Sequence, residues 1–178
     1  MRQIDNIFIH CTAGFGDVAA IRRWWRTPKP QGPGWKNDGY HFFIYTDGTI
    51  EPLMPIDRVS NGVQGFNSNS IHIAYQGGVD RKNVNKAVDT RTDEQKASIL
   101  YVINEVMEVL KKHQSIEHIK IAGHRDASPD KNGNGVIDPW ERIKDCPSFC
   151  AIPEYKWITG KVAMQSKKLV WRQSEYSL

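Results

Sequence analysis

The stretch NIFIHCTA, residues 6 to 13, alternates with a period of two, so Ile7, Ile9 and Cys11 share one face while Phe8 and His10 share the other. This predicts a strand ending at His10, packed on a core through one face and presenting a histidine on the other. Downstream, DVAAIRRWWRT (residues 17–27) has Asp17 as an N-cap and Val18, Ile21, Trp24 and Trp25 at helical spacing before Pro28. A short amphipathic helix is expected there. The segment GYHFFIYTDGTIEPL (39–53) reads as a hairpin turning at Asp47-Gly48, and NSIHIAYQGG (69–78) as another strand. From Thr92, a capping-box start with Gln95 leads into an apolar stripe of Ile99, Ile103, Val106 and Leu110, the longest helix. HIKIAGH (118–124) is a short strand delivering His124. Strands and helices mixed without repeats predict a single α/β domain, a central mixed β-sheet flanked by helices.

Composition bounds the possibilities. At 178 residues the chain suits one domain, and no apolar run approaches the roughly 20 residues of a membrane span. The start MRQIDNIFIHCT lacks a signal-peptide pattern, so synthesis in the cytoplasm is expected, with another route to any work outside it. A net charge of +4 spread along the chain gives no stripe for nucleic acid and stays compatible with an acidic polymer such as a cell wall. Cys11, Cys146 and Cys150 make no disulfide framework, which leaves reduced thiols or a metal ligand.

Two histidines at strand ends, His10 and His124, and Cys146 in a Pro-bounded turn match the composition of a catalytic zinc site, three protein ligands with a fourth position open. Spacing alone leaves ordinary core or surface roles open. Cys11, adjacent to His10 on a strand, must face the other way and reads as a buried thiol. His41 and His72 read as packing histidines. A second metal is suggested by DKNGNGVIDPWE (130–141): Asp130, Asn132, Asn134, Val136, Asp138 and Glu141 occupy the oxygen-donor positions of an EF-hand calcium loop, with Gly135 at the turn. That loop is expected to bind one structural Ca²⁺ and hold Lys144 and Cys146 in place.

The motifs IFIHCTAG, GYHFFIYTDGTIE, GFNSNSIHIAYQGGVD, IAGHRD and KDCPSF, taken in order, resemble those of type 2 zinc-dependent N-acetylmuramoyl-L-alanine amidases. That superfamily includes phage lysozyme-type amidases and peptidoglycan recognition proteins. The resemblance covers roughly residues 4 to 158. It implies that fold, a zinc domain over 1–160 with a basic extension at 161–178, and His10, His124 and Cys146 as zinc ligands. It also implies Tyr40 and Lys144 beside the reacting centre. The implied activity is hydrolysis of the amide between N-acetylmuramic acid and L-alanine in peptidoglycan, by a monomer working on the wall as an endolysin or in wall remodelling. Two alternatives stand beside it, a peptidoglycan-binding module without catalysis and a metal-free amidase using Cys146 as nucleophile and His124 as base. The sequence departs from its relatives at SNGVQGFN (60–67), with Asn61 and Gly62 where many carry a histidine, and in the insertion between His124 and Lys144.

Overall fold

In a computed structural model, residues 1–159 are described; the basic extension expected at 161–178 lies outside the described residues. Five strands form one sheet in the order β3-β2-β4-β1-β5, where β1 is Asn6–Cys11, β2 Phe42–Ile44, β3 Ile50–Pro52, β4 Ser70–Tyr75 and β5 Lys120–Gly123. β1 runs parallel to β4 and β5, β4 runs parallel to β2, and β3 pairs antiparallel with β2. The sheet is therefore mixed, as expected.

The alternation in β1 has its predicted consequence. Ile7, Ile9 and Cys11 join Ile71, Ile73, Tyr75 and Ile121 in the main core. The helix α2, Asp93–Lys111, covers that face with Ile99, Ile103, Val106 and Leu110, all buried. Each such side chain contributes about 1.5–3 kcal/mol by leaving water. Its start is the reciprocal cap read from the sequence, since the Gln95 amide donates to the Thr92 hydroxyl and the Gln95 side chain accepts from Thr92 N–H. Gln95 does more than cap. Its Nε2 donates to the carbonyls of Ile44 and Gln76, tying the helix start to the ends of β2 and β4.

Near the opposite face stands α1, Val18–Arg26, begun by Asp17, whose carboxylate accepts from Ala20 N–H at 2.8 Å. Trp25 is 1% exposed, but Trp24 is 55% exposed and lies outside the core expected of it. Adjacent helical residues point about 100° apart, and here the inward side of α1 takes Trp25 and leaves Trp24 toward solvent. The third helix, α3 (Ala151–Thr159), packs on β5. The hairpin turns where expected, with Gly48 at a φ of +85° that favours glycine.

Candidate metal centre

Parallel pairing of β1 and β5 sets Ile9 against Gly123, so the residues that follow, His10 and His124, leave adjacent strands at the same end. Their rings lie 5.0 Å apart at 73°. Cys146 arrives from a loop over 130 residues away in sequence from His10, and its Sγ stands 3.7 Å from His10 Nδ1. One donor atom from each of the three residues falls within 4.8 Å of the others, the sole such group of three His, Cys, Asp or Glu residues among the described ones.

The loop that carries Cys146 is held by the sheet. The Tyr75 hydroxyl donates to the Pro147 carbonyl at 2.6 Å, the Ser148 hydroxyl to the Gly78 carbonyl at 2.7 Å, and Arg125 N–H to the Cys146 carbonyl at 2.7 Å. Cys11 N–H reaches the Cys146 sulfur at 3.2 Å. The Cys11 side chain is buried in the core, as expected, and its thiol contacts that of Cys146. It also contributes its backbone amide, which no side-chain pattern would reveal.

Burial drives the electrostatics. It pushes the His10 imidazole well below its ordinary value, helped by His72 and His124, and lowers His124 to about 4, with Lys144 adding to the effect. Both rings are neutral at pH 7, with lone pairs available for a metal. The Cys146 thiol moves the other way, well above its usual value, because of burial and then its contact with Cys11. Its neighbour Cys11 is lowered to about 7, chiefly by the hydrogen bond between the two thiols, so an adjacent dication would supply the charge that settles the thiolate on Cys146. Two neutral nitrogens and one sulfur, with His124 lining a cleft, fit Zn²⁺ in an open site.

The cleft has a volume of about 440 Å³ and is lined by Trp35, Asn61, Gly62, His124 and Lys144. Lys144 is exposed at this cleft, and its charge acts on His10, His124 and Cys146. Tyr40 is half-buried, its ring 5.0 Å from that of His10 and 5.3 Å from that of Trp25. Burial, and then Cys146, raises its phenol well above the usual value, so it keeps its proton. The approach to Tyr40 is anchored by Asp38, 5% exposed, which accepts from Arg22 and Arg26 of α1 at 2.8 and 2.6 Å.

The insertion expected to form a calcium loop carries a hydrogen-bond network of its own. Asp130 accepts from the amides of Gly133 and Gly135, Asp138 from the side chains of Asn132 and Asn134, and Glu141, 1% exposed, from Lys131, Asn132 and Asp138 N–H. Val136, expected to offer its carbonyl, is 60% exposed. The loop closes on its own hydrogen bonds, and Ile143 N–H to the Ser128 hydroxyl seals its base at 3.0 Å. The geometry lends calcium no support. Nor does the loop hold Cys146 in place, which the sheet does.

His41 is the packing histidine expected of it: Nδ1 accepts from His72 N–H at 3.0 Å, and Nε2 lies 3.0 Å from the Arg58 carbonyl. His72 is more than packing, since its Nδ1 lies 3.0 Å from His10 Nε2. The period-two pattern of β4 carried this signal, because it puts His72 on the face opposite the core, and the β1–β4 register sets it diagonally beside His10.

The ends of a mixed sheet and one loop thus bring two neutral imidazoles and a thiol together beside a cleft, a donor set that could hold a metal ion. The chain belongs to the N-acetylmuramoyl-L-alanine amidase family, whose sequence profile matches residues 1–147, and it is an amidase. It is 30% identical over 152 residues to the endolysin of Enterobacteria phage K11, covering 83% of each chain. Among solved structures, it superposes on the N-acetylmuramoyl-L-alanine amidase LysC from Clostridium intestinale with a TM-score of 0.60 at 20% identity, over 88% of this chain and 86% of that one. A complex of the peptidoglycan recognition proteins LCa and LCx with tracheal cytotoxin matches at 0.62 and 18% identity, over 88% of this chain and 82% of that one. No helix among the described residues is long and apolar enough to cross a membrane.

Proposed function

We propose that the protein hydrolyses the amide between N-acetylmuramic acid and L-alanine in peptidoglycan, with Zn²⁺ held by His10, His124 and Cys146, and that it serves as an endolysin-type enzyme acting on the wall after release from the cytoplasm. The observation that carries this reading is the meeting of three donor atoms from β1, the end of β5 and the 144–149 loop beside a cleft. Family membership and phage endolysin relatives support the substrate.

Zinc, when bound, supplies an acidified water near neutral pH and polarises the attacked carbonyl. The chain supplies the rest. His10 and His124, neutral because they are buried, offer lone pairs instead of competing protons. Lys144 places a cation at the cleft wall, where it stabilises the oxyanion that develops on the scissile carbonyl. Tyr40, protonated and close to His10, donates a hydrogen bond that orients the attacking water or substrate. The wall of Trp35, Asn61 and Gly62 faces the muramyl peptide.

The thiol-nucleophile alternative needs a ready thiolate at Cys146, and burial together with the competing thiol of Cys11 opposes one there. The order of oxygen-bearing residues at 130–141 is all that supports a structural Ca²⁺. Calorimetric titration of the zinc-loaded protein tests it, and absence of heat at millimolar calcium leaves the loop a hydrogen-bonded turn. For the main reading, purified walls are digested and scored for new L-alanine amino groups. Chelation should abolish their release and Zn²⁺ should restore it. Activity that survives complete metal removal overturns the zinc reading, and zinc binding without amide cleavage would make the protein a binding module.

A further inference from the structure

The mechanism above leaves one buried polar group unused, the imidazole of His72. It is fully buried in β4 and is stacked between the rings of Phe8 and His41 at centroid distances of 5.8 Å each. Its Nδ1 lies 3.0 Å from His10 Nε2, while its Nε2 is buried with no hydrogen-bond partner. An unpaired buried nitrogen destabilises a fold, so packing alone would be better served at this position by an apolar side chain. Space for the ring depends on Gly62, where an added Cβ would collide with Nδ1, Cγ and Cε1 of His72. The loop is shaped to admit the imidazole.

Either ring could donate across this contact, and a metal on His10 decides which one does. His10 faces Cys146 through Nδ1 and His72 through Nε2, so Nδ1 is the nitrogen available to a metal shared with Cys146. For Nδ1 to offer a lone pair, the His10 proton must sit on Nε2, and only an acceptor opposite keeps it there. His72 Nδ1 is that acceptor, which leaves its own proton on the unpartnered Nε2. With the roles reversed, His72 would donate and His10 would carry its proton on Nδ1, where it blocks the metal.

We infer that His72 is a positioning residue which locks His10, by the Nε2–H to Nδ1 hydrogen bond, in the tautomer that binds the metal, and that Gly62 is the notch that lets it do so. This rests on zinc binding at His10, His124 and Cys146, and the experiment separates the two. Zinc dissociation constants are measured by chelator competition for the wild type, His72→Leu, His72→Asn and His72→Gln, together with thermal unfolding of each metal-free protein. Asn can place its carbonyl oxygen where Nδ1 stood, whereas the polar end of Gln reaches the Nε2 position. The expected result is zinc affinity about 10- to 100-fold weaker for Leu and Gln, near wild type for Asn, and a metal-free Leu variant that unfolds no earlier than the wild type. Equal zinc affinity in the Asn and Gln variants overturns the inference, and that comparison stands if the Leu variant fails to fold. Wild-type affinity in the Leu variant overturns it as well. A wild type that binds no zinc overturns both this inference and the reading beneath it.

Discussion

At the scale of single residues, the centre depends on side chains whose burial and charge pull in different directions. Three protein ligands leave no redundancy, so Cys146→Ser or His124→Ala should lose bound zinc and wall hydrolysis together, as read by metal analysis beside the amino-group assay. Lys144 is exposed and touches no donor atom by hydrogen bond. Its replacement by alanine should keep the metal and lower kcat by about 10²-fold, the scale of losing one oxyanion donor. Loss of zinc in that variant would mean the lysine supports the site and not the reaction. The buried histidines also set the pH response of the metal-free protein. His41 and His124 both fall from 6.5 to about 4 on folding because burial disfavours their charged form. The unfolded chain then binds more protons between those values, so their contribution is fully present above pH 6.5 and is lost as pH falls through about 4. Denaturant titrations should show stability dropping over that window by about 1.4 kcal/mol per pH unit for each histidine. A flat profile from pH 7 to 4 would show that the rings are solvated.

At the scale of elements, the sheet and the insertion divide their work. The 144–149 loop is tied to β1 and β4 through Cys11, Tyr75 and Gly78, whereas the 130–141 loop is organised around the buried Glu141. Glu141→Ala removes the acceptor of three backbone amides, at about 1 kcal/mol or more for each left without water. The insertion should become sensitive to limited proteolysis, while zinc affinity should stay within a few-fold of wild type. Tyr75→Phe is the opposite case, freeing the Pro147 carbonyl and loosening Cys146. It should weaken zinc retention without exposing the insertion to protease, and the reverse pattern would return the holding role to the insertion.

At the scale of the whole molecule, the ligands are drawn from three distant segments, so metal binding is coupled to the folded state. Free zinc at about 100 times its dissociation constant should stabilise the native protein by about 2.7 kcal/mol, or roughly 5–10 °C in Tm for a domain of this size. Calorimetry of the chelated and reloaded protein checks this. An unchanged Tm would mean that zinc either does not bind or binds the unfolded chain as well.

Much of this was open to sequence reading because local chemistry decides it. The alternation in residues 7–11, the Thr92–Gln95 cap, the Asp47-Gly48 turn and the stripe on α2 are nearest-neighbour patterns, and each forms where its residues predict. The ordered motifs further placed His10, His124 and Cys146 in one family and hence at one centre. Other features had no local signature. That Trp24 faces solvent while Trp25 is buried depends on which side of α1 meets the sheet. That the 130–141 loop turns its acids onto its own amides depends on the folded path of the chain, since the order of oxygen-bearing residues is the same with or without an ion. His72 shows the division most clearly: its strand face could be read from the period of two, but its partner could not. Only the pairing register of β1 with β4, and the notch left by Gly62 in a separate loop, bring its ring against His10, because tertiary contacts join residues that the chain keeps far apart.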